Sequence, residues 1–364
     1  MKRKLSMLTI AAAVSLGLVA CGEKSESQDL VKIGMMTDSG TIDDRSFNQA
    51  TWEGIERYQK EHGTIEKQYI RPLGETTADY MQAADDLITA GNKMIVAPGF
   101  KFEEAITKLQ EQYPEIKFVM IDGEPKTVAE NTIAIYFAEH EAGFLAGVAA
   151  ALQTETGKLG FIGGMKSIAV EKFGYGYVAG VAYANKHLGT NAEVVDYLYN
   201  GTFTDVAGGQ AQAGSMYDKG IDIIFTAAGR VGNGVITEAK TRTEAGDKVF
   251  VIGVDVDQYE LGKMSNGESV ILTSAIKRVD NASYDKVDEF MKGTFKGGEV
   301  ITMNAEMSGV GLPEKNPNLT EATEATAQEI LEEIKAGNLV VPSNEEDVKS
   351  FLKEMDYQGS TINF

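Results

Sequence analysis

VKIGMMTDSGTIDDRSFNQATWEG, residues 31–54, decides the fold. A short apolar run, 31–37, leads into a polar corner carrying Asp38, Asp43 and Asp44, and SFNQATWEG then opens a helical pattern. Strand, corner and helix in this order form one half of a βαβ unit. If the unit recurs, the strands form a parallel sheet and a ligand site is expected beyond their carboxyl ends.

It recurs along the whole chain. Strand patterns fall at 67–72, 93–99, 117–122, 132–137, 158–164, 192–199, 222–228, 248–255 and 269–277. Most are continuous apolar runs, as expected for parallel strands buried on both faces. Helical patterns lie between them at 47–62, 76–90, 101–112, 139–153, 171–188, 206–219, 232–244 and 280–293. Phe102, Ala105, Ile106 and Leu109 show the 3, 4 spacing of a buried stripe. In 138–153, Ala142, Gly143, Ala146, Gly147 and Ala150 form a face of small residues, where another backbone can come close, with Glu139, His140 and Glu141 capping its start. Beyond 296 a loop, a helix over 324–336 and a strand-like NLVVPS are expected, and no sequence repeat is visible. The fold class is α/β with doubly wound sheets, and the chain exceeds what one core usually serves, so two lobes are expected.

The first residues address the compartment. Lys2, Arg3 and Lys4 precede an apolar segment from about Met7 to Ala20, too short to span a bilayer comfortably. It ends in Leu18-Val19-Ala20-Cys21, which matches the bacterial lipobox, so Cys21 is the expected lipidation site. Cys21 is also the sole cysteine, which excludes an internal disulfide and any cysteine-built metal site. GEKSESQD then reads as a flexible tether. Without residues 1–20 the chain keeps 31 basic against 54 acidic residues, a net charge of −23. Such a surface disfavours nucleic acid and anionic membranes.

Positions at the strand ends carry the chemistry. In order they deliver Asp38, then Gly99 and Phe100, then Asp122, then Asn200 and Phe203, then Gly229, Asp255 and Lys277, with Phe47 and Asn48 opening the first helix. Phenylalanines suit a flat ring, and the aspartates, asparagine and lysine suit hydroxyls and ring nitrogens. Taken singly, each aspartate reads equally well as a turn former or cap. Their recurrence at one topological position in both halves makes the set persuasive.

Enzymatic readings fare poorly. His62, His140 and His187 lie on separate helices without metal-ligand spacing, and there is no GxSxG elbow and no Walker-A loop. GYGYVA (174–179) follows no strand directly, against a dinucleotide fingerprint. DVDQYELGKMSN (255–266) has Glu260 where a calcium loop needs glycine and Asn266 where it needs glutamate. No cofactor and no metal is expected.

TDSGTIDDRSFNQATWEG, followed by IVAPGF, VMIDG, HEAGFLAGVAA, KLGFIGGM, FGYGYVAGV, GTFTDVAGG and VIGVDVDQ, resembles the basic membrane protein family of bacterial lipoproteins, purine-nucleoside-binding subunits of ABC importers. The resemblance covers about 31 to 340. It implies a periplasmic-binding-protein type I fold, two Rossmann-like lobes with a ligand cleft between them. The implied organisation is a signal peptide over 1–20, an anchor and tether over 21–29, an N-terminal lobe of 30–140 with about 256–300, and a C-terminal lobe of 141–255 with about 301–364. It implies a purine stacked between Phe47 and Phe203, with its edge held by Asp38 and Asn48. The ribose goes to Asp122, Gly229 and Asp255, with Lys277 beside it. Implied partners are a purine nucleoside, ABC permease subunits and the membrane through Cys21, on the extracytoplasmic face. This chain departs from the family pattern after GGM, where it is shorter, and at Val206, where proline is usual. Phe173 is therefore a weaker candidate. One of Asp43 and Asp44 is expected to cap the helix starting near Ser46. A sugar or autoinducer-type ligand in the same fold, or a lipid-anchored sensory or adhesive role, remain the alternatives.

Overall fold

The computed structural model describes residues 30–359. The expected signal peptide, the tether and Cys21 lie outside them.

The first βα series is β1 (Val31–Met36), α1 (Phe47–His62), β2 (Ile65–Ile70), α2 (Thr77–Thr89), β3 (Met94–Pro98), α3 (Glu103–Gln112), β4 (Lys117–Ile121) and β5 (Thr132–Phe137). The second is α4 (Glu139–Gln153), β6 (Lys158–Gly163), α5 (Ile168–His187), β7 (Glu193–Tyr199), α6 (Val206–Asp218), β8 (Ile223–Ala227), α7 (Arg230–Glu244), β9 (Phe250–Asp255) and β10 (Ile271–Lys277). After these come α8 (Val279–Met291), β11 (Glu299–Met303), β12 (Val310–Gly311), α9 (Glu321–Lys335) and α10 (Glu345–Glu354). The strands form two six-stranded sheets, β11-β5-β4-β3-β1-β2 and β12-β10-β9-β8-β6-β7. Every pairing is parallel except β10 with β12. The sequence shows no repeat, yet the two series have the same strand order, an architectural repeat without a sequence one.

The chain changes sheet three times: entering α4, through α8, and over 304–309. The second change differs from the expected boundary near 256. β10 pairs in parallel with β9 from Ile271↔Val251 to Ile276↔Asp255, so 271–277 belongs to the second sheet. Only after Lys277 does the chain return, when α8 packs on α1. There the Ser283 hydroxyl donates to the Thr51 carbonyl at 2.8 Å and Arg57 pairs with Asp280 at 3.1 Å. β11 then keeps the chain in the first sheet as far as Met303.

NLVVPS forms no strand. Gly337, at φ 72°, turns the chain out of α9, and the Asn338 and Leu339 amides both bond the Glu333 carbonyl, so the segment opens as a helix cap. The small face of α4 has a partner in α5. A Cβ on Gly147 would lie 2.1 Å from the Tyr177 carbonyl oxygen, and one on Gly180 would lie 2.1 Å from that of Phe144. The two backbones touch through reciprocal glycines, which excludes side chains between them. Gly174 and Gly176, the glycines of GYGYVA, sit inside α5, where Cβ atoms would meet the Tyr197 hydroxyl and the His140 carbonyl. They serve packing.

Candidate functional site

In each sheet the strand order reverses beside the first strand of its series, β1 or β6, which opens a crevice at the carboxyl ends. The two crevices face one cleft. Counting its open mouth, the cleft spans about 670 Å³. All eight residues expected from the sequence line it: Asp38, Phe47, Asn48, Asp122, Phe203, Gly229, Asp255 and Lys277. Phe100 and Phe173 line it as well.

The β1–α1 corner is built around Asp44. Its carboxylate accepts the amides of Ser46 (2.9 Å), Asn48 (3.0 Å) and Gln49 (3.1 Å), satisfying the open N-terminus of α1. Asp44 is thus the capping aspartate, while Asp43 is exposed, bonded by Thr41, and outside the cleft lining. The Asn48 side chain is fully engaged. Its Nδ2 donates to Asp38 Oδ1 and to Asp44 Oδ2, both at 2.9 Å, and its Oδ1 accepts the Asp38 amide at 3.3 Å. Asn48 therefore orients Asp38. Burial raises the Asp38 carboxyl above the usual carboxylate range, against the bonds from Asn48 and the Gly40 amide.

Lys277 is the centre of the cleft floor. It is buried, and its Nζ bonds Asp122, stands 3.5 Å from Glu139 and 4.0 Å from Asp255. Burial alone would lower its pKa, but Asp122, Glu139 and Asp255 together raise it, so the lysine stays charged. Its Nζ also lies 4.8 Å from the centre of the Phe47 ring, within cation–π range. Burial pushes Asp255 up to about 6, against the pull of Lys277 and a hydrogen bond from Ser46. Glu139 is pushed up to about 7 by burial, with Lys277 pulling it down, Asp122 raising it and Lys172, at 3.7 Å, pulling it down. From the sequence, Glu139 is expected to cap the start of α4. Its side chain turns inward instead, towards the two lysines, and neither carboxylate oxygen has a hydrogen-bond donor.

Asp122 (φ 60°) and Asp255 (φ 66°) both occupy left-handed backbone at the ends of equivalent strands, β4 and β9. Gly99 (φ 121°) and Gly229 (φ 56°) are likewise equivalent, following β3 and β8. Asp is among the few residues that tolerate this region, and each case stores about 1 kcal/mol or more. One oxygen of Asp122, Oδ1, is buried without a partner, an acceptor available to a hydroxyl at the cleft.

The second series supplies the apolar wall: Ala169, Val170 and Phe173 from α5, Ala227 and Ala228 at the end of β8, and Phe203. Phe203 lies on Gly164, where any Cβ would come within 2.3 Å of the ring. Among the described residues no group of three or more His, Cys, Asp or Glu side chains could hold a metal ion. The arrangement offers rings and apolar surface on one side and carboxylates around one lysine on the other.

A family model described as "ABC transporter substrate-binding protein PnrA-like" matches residues 31–345. A Listeria monocytogenes protein named CD4+ T-cell-stimulating antigen is 35% identical, covering 94% of this chain and 99% of its own. The ABC transporter nucleoside-binding protein BmpA of Lactococcus lactis subsp. cremoris is 34% identical, with 94% and 99% covered. Among solved structures, an ABC transporter solute-binding protein from Aeropyrum pernix K1 superposes with TM-score 0.77 at 25% identity, covering 90% of this chain and 97% of that one. One from Conexibacter woesei, at 22% identity, TM-score 0.68 and coverages of 86% and 99%, shares the fold. The family is one of binding proteins and not of enzymes, and this chain belongs to it: it is a Bmp-family, PnrA-like substrate-binding protein of ABC transporters.

Proposed function

We propose that this chain captures purine nucleosides for an ABC importer, held by a lipid on Cys21 at the extracytoplasmic face of the cell membrane. The observation that carries the ligand class is the division of the cleft: rings come from both series, Phe47 and Phe203, above carboxylates gathered round Lys277. The purine stacks on the two rings, each worth about 1–3 kcal/mol, and Asp38, oriented by Asn48, takes the base edge. Ribose hydroxyls donate to Asp122 and Asp255, charge-assisted bonds of about 1.5–3 kcal/mol each. Lys277 stands beside both carboxylates and offsets their charge. Five acidic side chains, Asp38, Asp44, Asp122, Glu139 and Asp255, stand in or beside the cleft against two cations of its lining, Lys277 and Arg230, so a phosphate is disfavoured and a neutral nucleoside favoured over a nucleotide. The Lactococcus relative, named for nucleoside binding, supports the same reading.

Because the contacts come from both series, ligand favours the closed form, and closure is what a permease reads. Calorimetric titration with guanosine, adenosine and inosine, beside guanosine monophosphate and ribose, tests the assignment. Saturable micromolar binding of a nucleoside, with the nucleotide and free sugar at least a hundredfold weaker, is expected. Ribose binding without any nucleoside binding would overturn it. For the anchor, Cys21→Ala is expected to release the protein from the membrane fraction.

A further inference from the structure

The corner 44–46 belongs to the first series, yet three of its groups reach the second. The Asp44 carbonyl accepts from Asn233 Nδ2 at 3.3 Å, the Arg45 carbonyl accepts from Gln258 Nε2 at 2.9 Å, and the Ser46 hydroxyl donates to Asp255. These two carbonyls precede α1 and have no helical partner, so they are free to be held from outside. Gln258 is built to hold one. It is buried, its Oε1 accepts the Val254 backbone amide at 3.2 Å and its backbone N–H donates to the Ser274 hydroxyl at 3.1 Å, fixing it to the second series with Nε2 extended. Asn233 has one recorded bond to the corner and its Oδ1 has no partner. Arg45 itself sits at φ 62°, left-handed backbone that a non-glycine residue keeps only when its surroundings hold it there.

We infer that Gln258 and Asn233 are positioning residues for capture: they clamp the second series onto the corner that carries Asp38, Phe47 and Asn48, and so hold the cleft shut. That ligand release is slowed rests on the nucleoside reading. The clamp itself does not, so it is tested without ligand. In a Cys21→Ser background, Leu73→Cys and Ile168→Cys place spin labels on exposed rims of the two series, 98% and 56% accessible. Pulsed dipolar spectroscopy then reads open and closed populations.

Each of Asn233→Ala and Gln258→Ala is expected to raise the open-to-closed ratio at least threefold, and the pair together about tenfold or more. Arg45→Gly, which takes the corner without strain, is expected to leave the ratio at or below the parent's. Should Gln258→Ala fold poorly, Asn233→Ala decides, since it removes one bond from a half-buried side chain. Distance distributions that superimpose on the parent's in both Ala variants would overturn the inference. With a nucleoside bound, the clamp variants are expected to raise its dissociation rate about tenfold with the association rate unchanged. A shift in populations without any nucleoside binding would uphold the clamp and sink the ligand reading.

Discussion

The two βα series share a strand order but divide the work at its ends. After β1, the first series places a polar corner in which Asp44 caps α1 and Asn48 aims Asp38. At the end of β6, the equivalent strand, the second series places Gly163 and Gly164, then Ala169, Val170 and Phe173, an apolar wall. After β7, Phe203 turns into the cleft, whereas in the loop after β2 Leu73 is almost wholly exposed. The third strands match in ending on glycines at positive φ, Gly99 and Gly229, and the fourth in side-chain chemistry, with Asp122 and Asp255 both in left-handed backbone and both near one lysine. A duplicated architecture therefore supplies two crevices, and side chains make one of them grip and the other cover.

The two halves share Lys277. Lys277→Met leaves Asp122, Glu139 and Asp255 without their common cation. A loss of about 3–5 kcal/mol in unfolding free energy is expected by urea denaturation without ligand. A loss below about 1 kcal/mol would mean the carboxylates do not depend on it.

Gly147→Val asks whether the second series rests on backbone contact between α4 and α5. Its Cβ would meet the Tyr177 carbonyl at 2.1 Å, so about 3 kcal/mol of destabilisation is expected in the same assay. Near-parent stability would show that the helices can part.

Glu139→Gln sharpens the electrostatics. A carboxyl raised to about 7 is protonated in the folded chain and ionised in the unfolded one between about pH 4.5 and 7, so its contribution is present below that window and lost as pH rises through it. The variant mimics the protonated form. It is expected to match the parent near pH 4.5 and to exceed it by about 2 kcal/mol at pH 8. A variant less stable than the parent at pH 8 would reverse the sign.

The strands were legible because continuous apolar runs in a βα rhythm leave few alternatives: 132–137 agrees at both ends, and the others shift by at most two residues. β11 escapes that pattern because, as an edge strand, it is largely exposed and its apolar stretch is only Val300-Ile301 before Thr302 interrupts it, and β12 is only two residues long. α10 buries a single residue, Val348, although Asn344 accepting the Asp347 amide is a capping signal that the sequence carried. The cleft residues were legible because strand ends are fixed by topology. Glu139, Ser46, Asn233 and Gln258 were not, since their roles depend on which way a side chain turns and on how two series meet, and neither has a period.

Both series are expected to hold one ligand, and calorimetric titration of Phe47→Ala and Phe203→Ala with the nucleoside that the parent binds tests this. Each variant is expected to weaken binding about tenfold or more while remaining folded. Full affinity in either one would contradict the account.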